Sequence, residues 1–316
     1  MSKILKILSR PQGNAEEYGR WSVNPYLGCS HECLYCYLKK GPGAKTLGGN
    51  TATLKKGVVS DDHACHLAMA EIIEHREEII RDGGLFMTFT SDPCAPETCN
   101  LFFHIAADAM NYGIPITMLT KDAEFCGKDN PTIRYIERTL QINAWLVNIV
   151  MFQSTYQERL AIGFTLTGHD ELEPNASPNA ERIKAMKYLS DKGWRTWASI
   201  EPVIDFRSSL EMICQALDAG CKHFKIGLLT NNTRVVRKPF DFGEHQFEAY
   251  DRAACMSFTG NVMELTQGRA TVYWKQSFYD YLGDENLFGM TAHEFLHQWS
   301  HSVDKDWNML RKEEVK

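Results

Sequence analysis

Three cysteines lie within eight residues near the N-terminus, in the stretch YLGCSHECLYCYLKK of residues 26–40. Cys29, Cys33 and Cys36 follow the spacing C-x3-C-x2-C. Thiolates this close together indicate a metal centre, and they constrain the fold because all three side chains must reach one site. Structural zinc sites and ordinary iron–sulfur sites take four protein ligands, so the fourth ligand has to come from elsewhere.

The remaining cysteines and the N-terminus suggest a reducing compartment. The start of the chain, MSKILKILSRPQGN, lacks the apolar core of a signal peptide, and no run of about 18 apolar residues follows. We therefore expect a cytoplasmic protein without a membrane segment, in which disulfide bonds are uncommon. Seven scattered cysteines are expected to be small buried hydrophobic residues: Cys65, Cys94, Cys99, Cys126, Cys214, Cys221 and Cys255.

The net charge of −6 argues against a protein that coats nucleic acid indiscriminately, because such binding depends on neutralising phosphates. It leaves room for a local basic groove. Two short basic clusters, LKK at 38–40 and RVVRK at 234–238, could line such a groove or simply face solvent.

Short apolar runs alternate with helical patterns along the chain. Repeated strand–helix units predict a parallel sheet with right-handed crossovers. Six units are expected, giving an α/β fold, a partial (β/α)6 TIM-type barrel over residues 22–230, with an N-terminal extension (1–21) and a C-terminal extension (231–316) that completes or covers it. The predicted strands lie within 22–28, 87–90, 114–121, 161–168, 196–206 and 223–229.

The cysteine motif directly follows the first predicted strand, at the end of the barrel where active sites lie. Zinc is one candidate, since Cys33 and Cys36 form a C-x2-C pair beside His31. No second pair of this kind follows, and His63 and His66 are the nearest alternatives. A [4Fe–4S] cluster held by three cysteines leaves one iron open to a small molecule, which would account for the missing ligand.

A second metal motif lies near the C-terminus. His293, Glu294 and His297 match the H-E-x-x-H pattern of zinc proteases in form, and His301 continues the stripe. A protease would need this helix in a cleft with a third ligand. We interpret the segment as a surface helix.

The C-x3-C-x2-C motif, with the aromatic Tyr35 before its last cysteine, resembles the signature of radical S-adenosylmethionine (SAM) enzymes. The resemblance implies a [4Fe–4S] cluster whose open iron binds the amine and carboxylate of SAM. An electron from the cluster then cleaves SAM, and the 5′-deoxyadenosyl radical abstracts hydrogen from a substrate. The protein's task is to position these groups and exclude water.

Within that superfamily the chain resembles the spore photoproduct lyase-like (DNA repair photolyase-like) group over residues 22–230. As in the lyases, a tyrosine (Tyr37) directly follows the third cysteine. Phe89 occupies the place expected for the hydrogen-donor cysteine, which favours a different reaction on a related scaffold. The resemblance rests on these segments, in order: VNPYLGCSHECLYCY, TSDPCAPE, ITMLTK, LEPNASPNAERIKAMKYLSDKG and IEPVI.

Polar residues at the ends of the predicted strands are expected to contact the cofactor, together with Tyr35. Turn or capping roles are the alternative for each. A hydrogen donor to the substrate radical is expected at Cys94 or Tyr37. Lys225 is expected to reach a carboxylate or the strand mouth, because an unpaired buried ammonium is costly, and Lys121 and Lys275 are expected to hold a carboxylate or phosphate. The expected cofactor contacts are Thr90, Ser91 and Asp92 for the SAM amine or substrate, Thr165 and Thr167 for the ribose or carboxylate, and Glu201 for the ribose or amine.

The sequence therefore predicts a radical SAM enzyme of the lyase or isomerase type. We expect it to act on a modified pyrimidine base or nucleotide, in DNA or free, and to use a reducing partner such as flavodoxin or ferredoxin. A peptide or small metabolite as substrate, and a non-catalytic iron–sulfur protein, remain alternatives.

Overall fold

The computed structural model describes residues 5–40, 44–126, 157–231, 234–283, 286–287 and 289–299. Its main feature is an eight-stranded sheet whose strands lie side by side in chain order. We number them β1 to β8: Leu8–Ser9, Ser22–Val23, Leu85–Met87, Ile116–Thr120, Leu160–Thr165, Arg195–Val203, His223–Leu228 and Thr271–Trp274.

β1 pairs antiparallel with β2, and every pair from β2 to β8 is parallel. A parallel sheet that grows strand by strand with helical crossovers is the layout of a TIM-type barrel. This confirms the predicted α/β partial barrel. The sheet also takes one strand from each predicted extension, β1 from residues 1–21 and β8 from residues 231–316.

Helices connect most of the parallel strands. A serine or aspartate caps three of them: Ser60, Asp205 and Asp251 each accept a hydrogen bond from a backbone N–H of the first turn. The connection from β4 to β5 contains residues 127–156, which lie outside the described residues. The described helices, α1 to α9, are Ala44–Leu47, Asp61–Glu74, Arg76–Arg81, Cys99–Asn111, Asn179–Asp191, Phe206–Asp218, Arg252–Thr266, Gln276–Leu282 and Ala292–Trp299.

Short antiparallel ladders lie outside the eight-stranded sheet. Tyr26–Leu27 pairs with Thr53–Leu54 next to the cysteine motif, and three further two-stranded ladders lie in the C-terminal third of the chain, at 230–231 with 234–235, 240–242 with 245–247, and 286–287 with 290–291. None of the described helices is long and apolar enough to cross a membrane.

The ends of two strands are irregular where they face the predicted site. β3 stops at Met87 because Thr88 takes a left-handed backbone conformation, with φ of 63°. The pairing of β6 with β7 shifts register between Ile200 and Val203, which brackets Glu201. Irregularities of this kind redirect side chains and are common beside active sites.

The core lies on both sides of the sheet. Every residue of β5 and β7 is buried, as expected for parallel strands covered on both faces. Within β5, Gly163 leaves space for the fully buried indole of Trp197 on the neighbouring strand, because a Cβ at position 163 would overlap the indole ring. The sequence therefore needs a residue without a side chain at this point of the sheet.

We predict that Gly163→Ala lowers the free energy of unfolding by about 1–3 kcal/mol, because the added methyl group overpacks the sheet against Trp197. Urea unfolding followed by circular dichroism measures this. Gly49→Ala is the matched control, since its Cβ would meet nothing closer than 3.6 Å. Equal stability of the two variants would mean that Trp197 moves aside without cost.

Candidate active site

The C-terminal ends of the strands surround a cavity of about 510 Å³. One wall is the cysteine loop, with Cys29, Cys33 and Cys36 all lining the cavity. The opposite side is formed by the ends of β6, β7 and β8 and by the N-terminal segment at residues 12–18. The cysteine motif and the strand ends therefore meet where the sequence predicted them to meet.

The cysteine loop is held close to the segment 49–51. Gly28, with φ of 91°, precedes the first cysteine, and a Cβ there would overlap the carbonyl of Thr51 and lie 2.9 Å from that of Gly49. The backbone N–H of Cys29 donates to the Gly49 carbonyl over 3.0 Å. Only glycine permits this approach, so Gly28 fixes where the loop begins.

The three thiols differ in environment. Cys33 is buried, and burial raises the pKa of its thiol to about 12, while Cys29 and Cys36 are partly exposed. Among the described residues, no three His, Cys, Asp or Glu side chains are placed to hold a single metal ion. The ligands of an iron–sulfur cluster bind different iron atoms, so they need not converge on one point as zinc ligands do.

The segment after β5 clamps the cysteine loop from the side of α5. The backbone N–H of Leu34 donates to the Leu172 carbonyl over 2.9 Å. Asn175 donates to two loop carbonyls, from its backbone to His31 over 3.3 Å and from its side chain to Ser30 over 3.1 Å. The LEPNAS segment thus determines the position of the cysteines.

A buried ion pair anchors this clamp. Arg182 and Glu173 have fully buried side chains and are 2.6 Å apart, and the Tyr35 hydroxyl donates to the same Glu173 carboxylate. The guanidinium also donates to the carbonyls of Thr165 and Ser177 over 2.8 and 2.7 Å. Tyr35 lines the cavity, so this pair connects α5 to the cysteine motif.

His31 lies between two carboxylates behind the cysteines. Its Nδ1 is 3.4 Å from Asp92, and its Nε2 is 3.9 Å from Asp122. Burial lowers the pKa of His31, but Asp92, Asp122 and Cys29 raise it more, to about 10. The two carboxylates therefore favour the protonated form of the imidazole.

Asp92 lines the cavity, but its oxygens are already occupied. One accepts from the Cys94 N–H and the Thr120 hydroxyl, and the other accepts from the Lys121 N–H and faces His31. A carboxylate has about four acceptor positions, so these contacts use all of them. The geometry favours a role in fixing the strand ends over direct contact with a ligand.

The other predicted contacts separate into two groups. Ser91, Thr165 and Glu201 line the cavity. Among the described residues, the buried hydroxyl of Ser91 is left without a hydrogen-bond partner, which leaves it free for a ligand. Thr90 and Thr167 are not among the lining residues and make internal hydrogen bonds, Thr90 to the Tyr26 carbonyl over 2.5 Å and Thr167 from the His169 N–H over 3.2 Å.

The two predicted hydrogen donors also differ. Tyr37 lines the cavity, its side chain is 64% exposed, and its hydroxyl donates to the Phe89 carbonyl. Cys94 is 1% exposed and is not among the lining residues, and burial raises the pKa of its thiol. The structure brings only Tyr37 to the cavity.

Two residues that the sequence did not single out, Tyr18 and Ser199, lie at what we call the floor of the cavity, together with Glu201 and Lys275. Tyr18 and Ser199 line it, and the Tyr18 hydroxyl donates to Glu201 and lies 3.0 Å from the Ser199 hydroxyl. Lys275 donates to both oxygens of Glu201, over 2.6 and 2.7 Å. Lys275 thus meets a carboxylate as expected, but the carboxylate belongs to the protein.

The two other predicted lysines are placed differently. The Lys225 ammonium donates to the Glu17 carbonyl and lies 4.2 Å from the ring centre of Tyr18. Lys121 lines the cavity, with its ammonium 5.6 Å from the ring centre of Tyr35. Only Lys121 remains close to the cysteine loop.

The C-terminal histidine motif lies on α9. Glu294 accepts hydrogen bonds from the backbone and hydroxyl of Thr291, each over 2.9 Å, which caps the helix and lowers the pKa of Glu294. His293 is exposed, while the side chain of His297 and all of residue 301 lie outside the described residues.

No family model and no curated protein matches this chain. Among solved structures, a cysteine-to-serine mutant of spore photoproduct lyase is similar, with a TM-score of 0.56 and 14% identity over 86% of this chain and 81% of that one. SuiB of Streptococcus suis bound to S-adenosylmethionine aligns with a TM-score of 0.47 and 13% identity, over 84% of this chain and 52% of that one. The first comparison confirms the resemblance drawn from the sequence at the level of the fold.

We predict that Arg182→Met lowers the free energy of unfolding by about 3–5 kcal/mol, because it leaves the buried Glu173 carboxylate unpaired. Chemical denaturation measures the change. Lys187→Met removes the exposed pair with Asp191 on the same helix and should change stability by about 0–1 kcal/mol. A small loss in Arg182→Met would show that Glu173 takes up a proton and needs no partner.

Proposed function

We propose that this protein is a radical SAM enzyme that holds a [4Fe–4S] cluster through Cys29, Cys33 and Cys36 and binds SAM in the same cavity. The observation that carries the proposal is the convergence of the three thiols on one cavity at the C-terminal ends of the strands. Among the described residues no fourth cysteine lines this cavity, which fits a cluster with one iron open to a ligand. The fold shared with spore photoproduct lyase supports it.

When bound, the cluster and SAM supply a 5′-deoxyadenosyl radical that abstracts hydrogen from the substrate. The protein's own part is to hold the reactants and keep water away. Phe86, Phe89 and Leu119 give the cavity apolar surface on one side. The walls made by the cysteine loop and the strand ends hold the reactive groups on rigid elements.

Three residues are proposed to contact SAM directly. Ser91 offers a hydroxyl that has no partner within the part of the chain that the structure describes, Thr165 ends β5 at the cavity, and Glu201 presents a carboxylate whose side chain is 20% exposed. Hydroxyl and ammonium groups of SAM are the donors that such acceptors bind. Thr90, Asp92 and Thr167 are proposed to fix the loops that carry these contacts.

Tyr37 is the proposed hydrogen donor if the substrate radical is quenched by the protein. Its exposure within the cavity supports this role. Donation transfers the phenolic hydrogen to the substrate carbon and leaves a phenoxyl radical, which the reducing partner restores with one electron and one proton. In the alternative, an isomerase, the hydrogen returns from 5′-deoxyadenosine and SAM is regenerated.

The proposed substrate is a modified pyrimidine base or nucleotide, and flavodoxin or ferredoxin is the proposed reductant. Lys39 and Lys40 line the cavity next to the cysteine loop and suit a phosphate backbone at its rim. Binding of an oligonucleotide that weakens steeply with salt would support a nucleic-acid substrate. Salt-independent turnover of a peptide or small metabolite would favour that alternative instead.

We predict that anaerobically reconstituted protein carries about four irons and four sulfides per chain and that Cys33→Ala carries no stable cluster. Iron and sulfide analysis and visible absorption measure this without any substrate. Cys65→Ala, on α2, is the matched control and should bind a normal cluster. A full cluster and intact SAM cleavage in Cys33→Ala would overturn the proposed function.

We predict that Glu201→Gln keeps its cluster but binds SAM roughly 10- to 150-fold more weakly, because a hydrogen bond to a charged group is worth about 1.5–3 kcal/mol. Calorimetry on the reconstituted protein measures the dissociation constant. Glu211→Gln, an exposed position on α6, is the control. Unchanged affinity would assign Glu201 to the architecture of the floor alone.

A further inference from the structure

Glu17 bridges the two edges of the barrel sheet. It ends a short helical turn at Gly13–Glu17, in the segment that connects β1 with β2 at one edge. Its carboxylate accepts from the backbone N–H of Gln276 over 2.8 Å and lies 3.4 Å from the Lys275 ammonium, and both partners directly follow β8 at the other edge. Its carbonyl accepts from Lys225. The N-terminal segment therefore closes the gap between the first and last strands.

Lys275 has no proton left for a ligand. Its ammonium has three donors, and its neighbours are the two oxygens of Glu201 at 2.6 and 2.7 Å and the Glu17 carboxylate at 3.4 Å. The side chain is 3% exposed. Burial lowers the pKa of Lys275, but Glu201 and Glu17 raise it more, so the ammonium stays charged. An anionic ligand group therefore finds no free donor on Lys275.

The sequence makes room for this arrangement. A Cβ on Gly227, in β7, would lie 2.9 Å from Cδ of Lys275 and 3.0 Å from Oε1 of Glu201. Gly227 does not have a positive φ, so its backbone does not require glycine. The absence of a side chain at Gly227 gives the Lys275–Glu201 ion pair the space to lie across β7.

Burying this many charged groups costs solvation free energy. Glu17 is 2% and Lys275 3% exposed, and desolvation of such groups offsets most of their attraction. Only part of the network reaches the cavity, through Glu201, Tyr18 and Lys275. Oε2 of Glu201 accepts from both Lys275 and Tyr18, whereas Oε1 accepts from Lys275 and, among the described residues, keeps one acceptor position free.

We propose that Glu17 is a positioning residue, which holds Lys275 so that Lys275 fixes Glu201 as an acceptor for an O–H or N–H donor of the ligand in the cavity. The proposal rests on the proposed function in taking SAM as that ligand. A residue outside the cavity, in the N-terminal segment, thus sets the geometry of the contact. The floor receives a hydrogen-bond donor of the ligand, not a carboxylate or phosphate.

The test is a double-mutant cycle on SAM binding by the reconstituted protein. Glu17→Gln keeps an acceptor for the Gln276 N–H but removes the charge that holds Lys275. We expect it to weaken SAM binding about tenfold in the wild-type background and to have no further effect in the Glu201→Gln background. Equal losses in both backgrounds would overturn the proposal, since Glu17 would then act without Glu201. Glu16→Gln makes the same chemical change one residue earlier and should bind SAM normally.

Repeating the measurement with 5′-methylthioadenosine separates the two possible donors. This analogue keeps the ribose hydroxyls and lacks the amino acid part. If Glu17→Gln binds both ligands more weakly, the contact is with the ribose. If only the affinity for SAM falls, the contact is with the ammonium.

A second measurement needs no cofactor. Reductive methylation followed by peptide mass spectrometry reports how accessible each lysine is, with the exposed Lys184 as internal reference. Lys275 should be protected in the wild type and in Glu16→Gln, and should react several-fold faster in Glu17→Gln. Equal protection in all three proteins would overturn the positioning role. Because this result does not depend on SAM, it remains decisive if the protein binds no SAM and the proposed function fails.

If Glu17→Gln does not fold, Gly227→Ala tests the same arrangement from the other side. This substitution changes no charge, but the added methyl group displaces the Lys275–Glu201 pair. The expected result is again weaker SAM binding with a cluster of normal iron content. Normal affinity in this variant would overturn the proposal.

Discussion

The cavity lies between two groups of buried opposite charges, and each group holds one wall. On the cysteine side, Arg182 binds Glu173, which also receives the Tyr35 hydroxyl. On the opposite side, Lys275 binds both Glu201 and Glu17. Buried ion pairs add little net stability, because desolvation offsets their attraction, but they tolerate few alternative arrangements. Both walls are therefore fixed by charge pairing, while the apolar core behind them supplies the stability of the fold.

Local patterns in the sequence were sufficient to predict the fold class and the position of the cysteine motif. The run at 161–168 and the run at 223–229 became strands buried on both faces, and the motif of Cys29, Cys33 and Cys36 became a loop at the C-terminal end of the sheet. These features depend on neighbouring residues, since strand propensity and ligand spacing are both encoded within a few positions. The fold class followed from their repetition along the chain.

The floor of the cavity could not be predicted in this way. Tyr18 and Ser199 belong to segments 181 residues apart, and no local pattern signals that they meet. The position of a residue in the sequence also does not show whether its hydrogen-bond acceptors are free. Asp92 lies in the loop after β3, five residues beyond the strand end at Met87, and neighbouring N–H and O–H groups occupy its oxygens, whereas the hydroxyl of Ser91 beside it has no partner among the described residues. Whether the hydrogen-bond acceptors of a side chain are already occupied depends on tertiary packing, which local sequence patterns do not reveal.

The contact between Glu17 and Gln276 spans 259 residues, so the segment that carries Glu17 leaves the ribosome long before its partner is made. At about 5–20 residues per second, synthesis of the intervening chain takes roughly 13–52 seconds. During that interval Glu17 has no partner at position 276, and the cysteine loop has already been synthesised. The thiols are thus synthesised well before the residues that enclose them, and the order of synthesis leaves the cavity open on the side of β8 until Lys275 and Gln276 have been made.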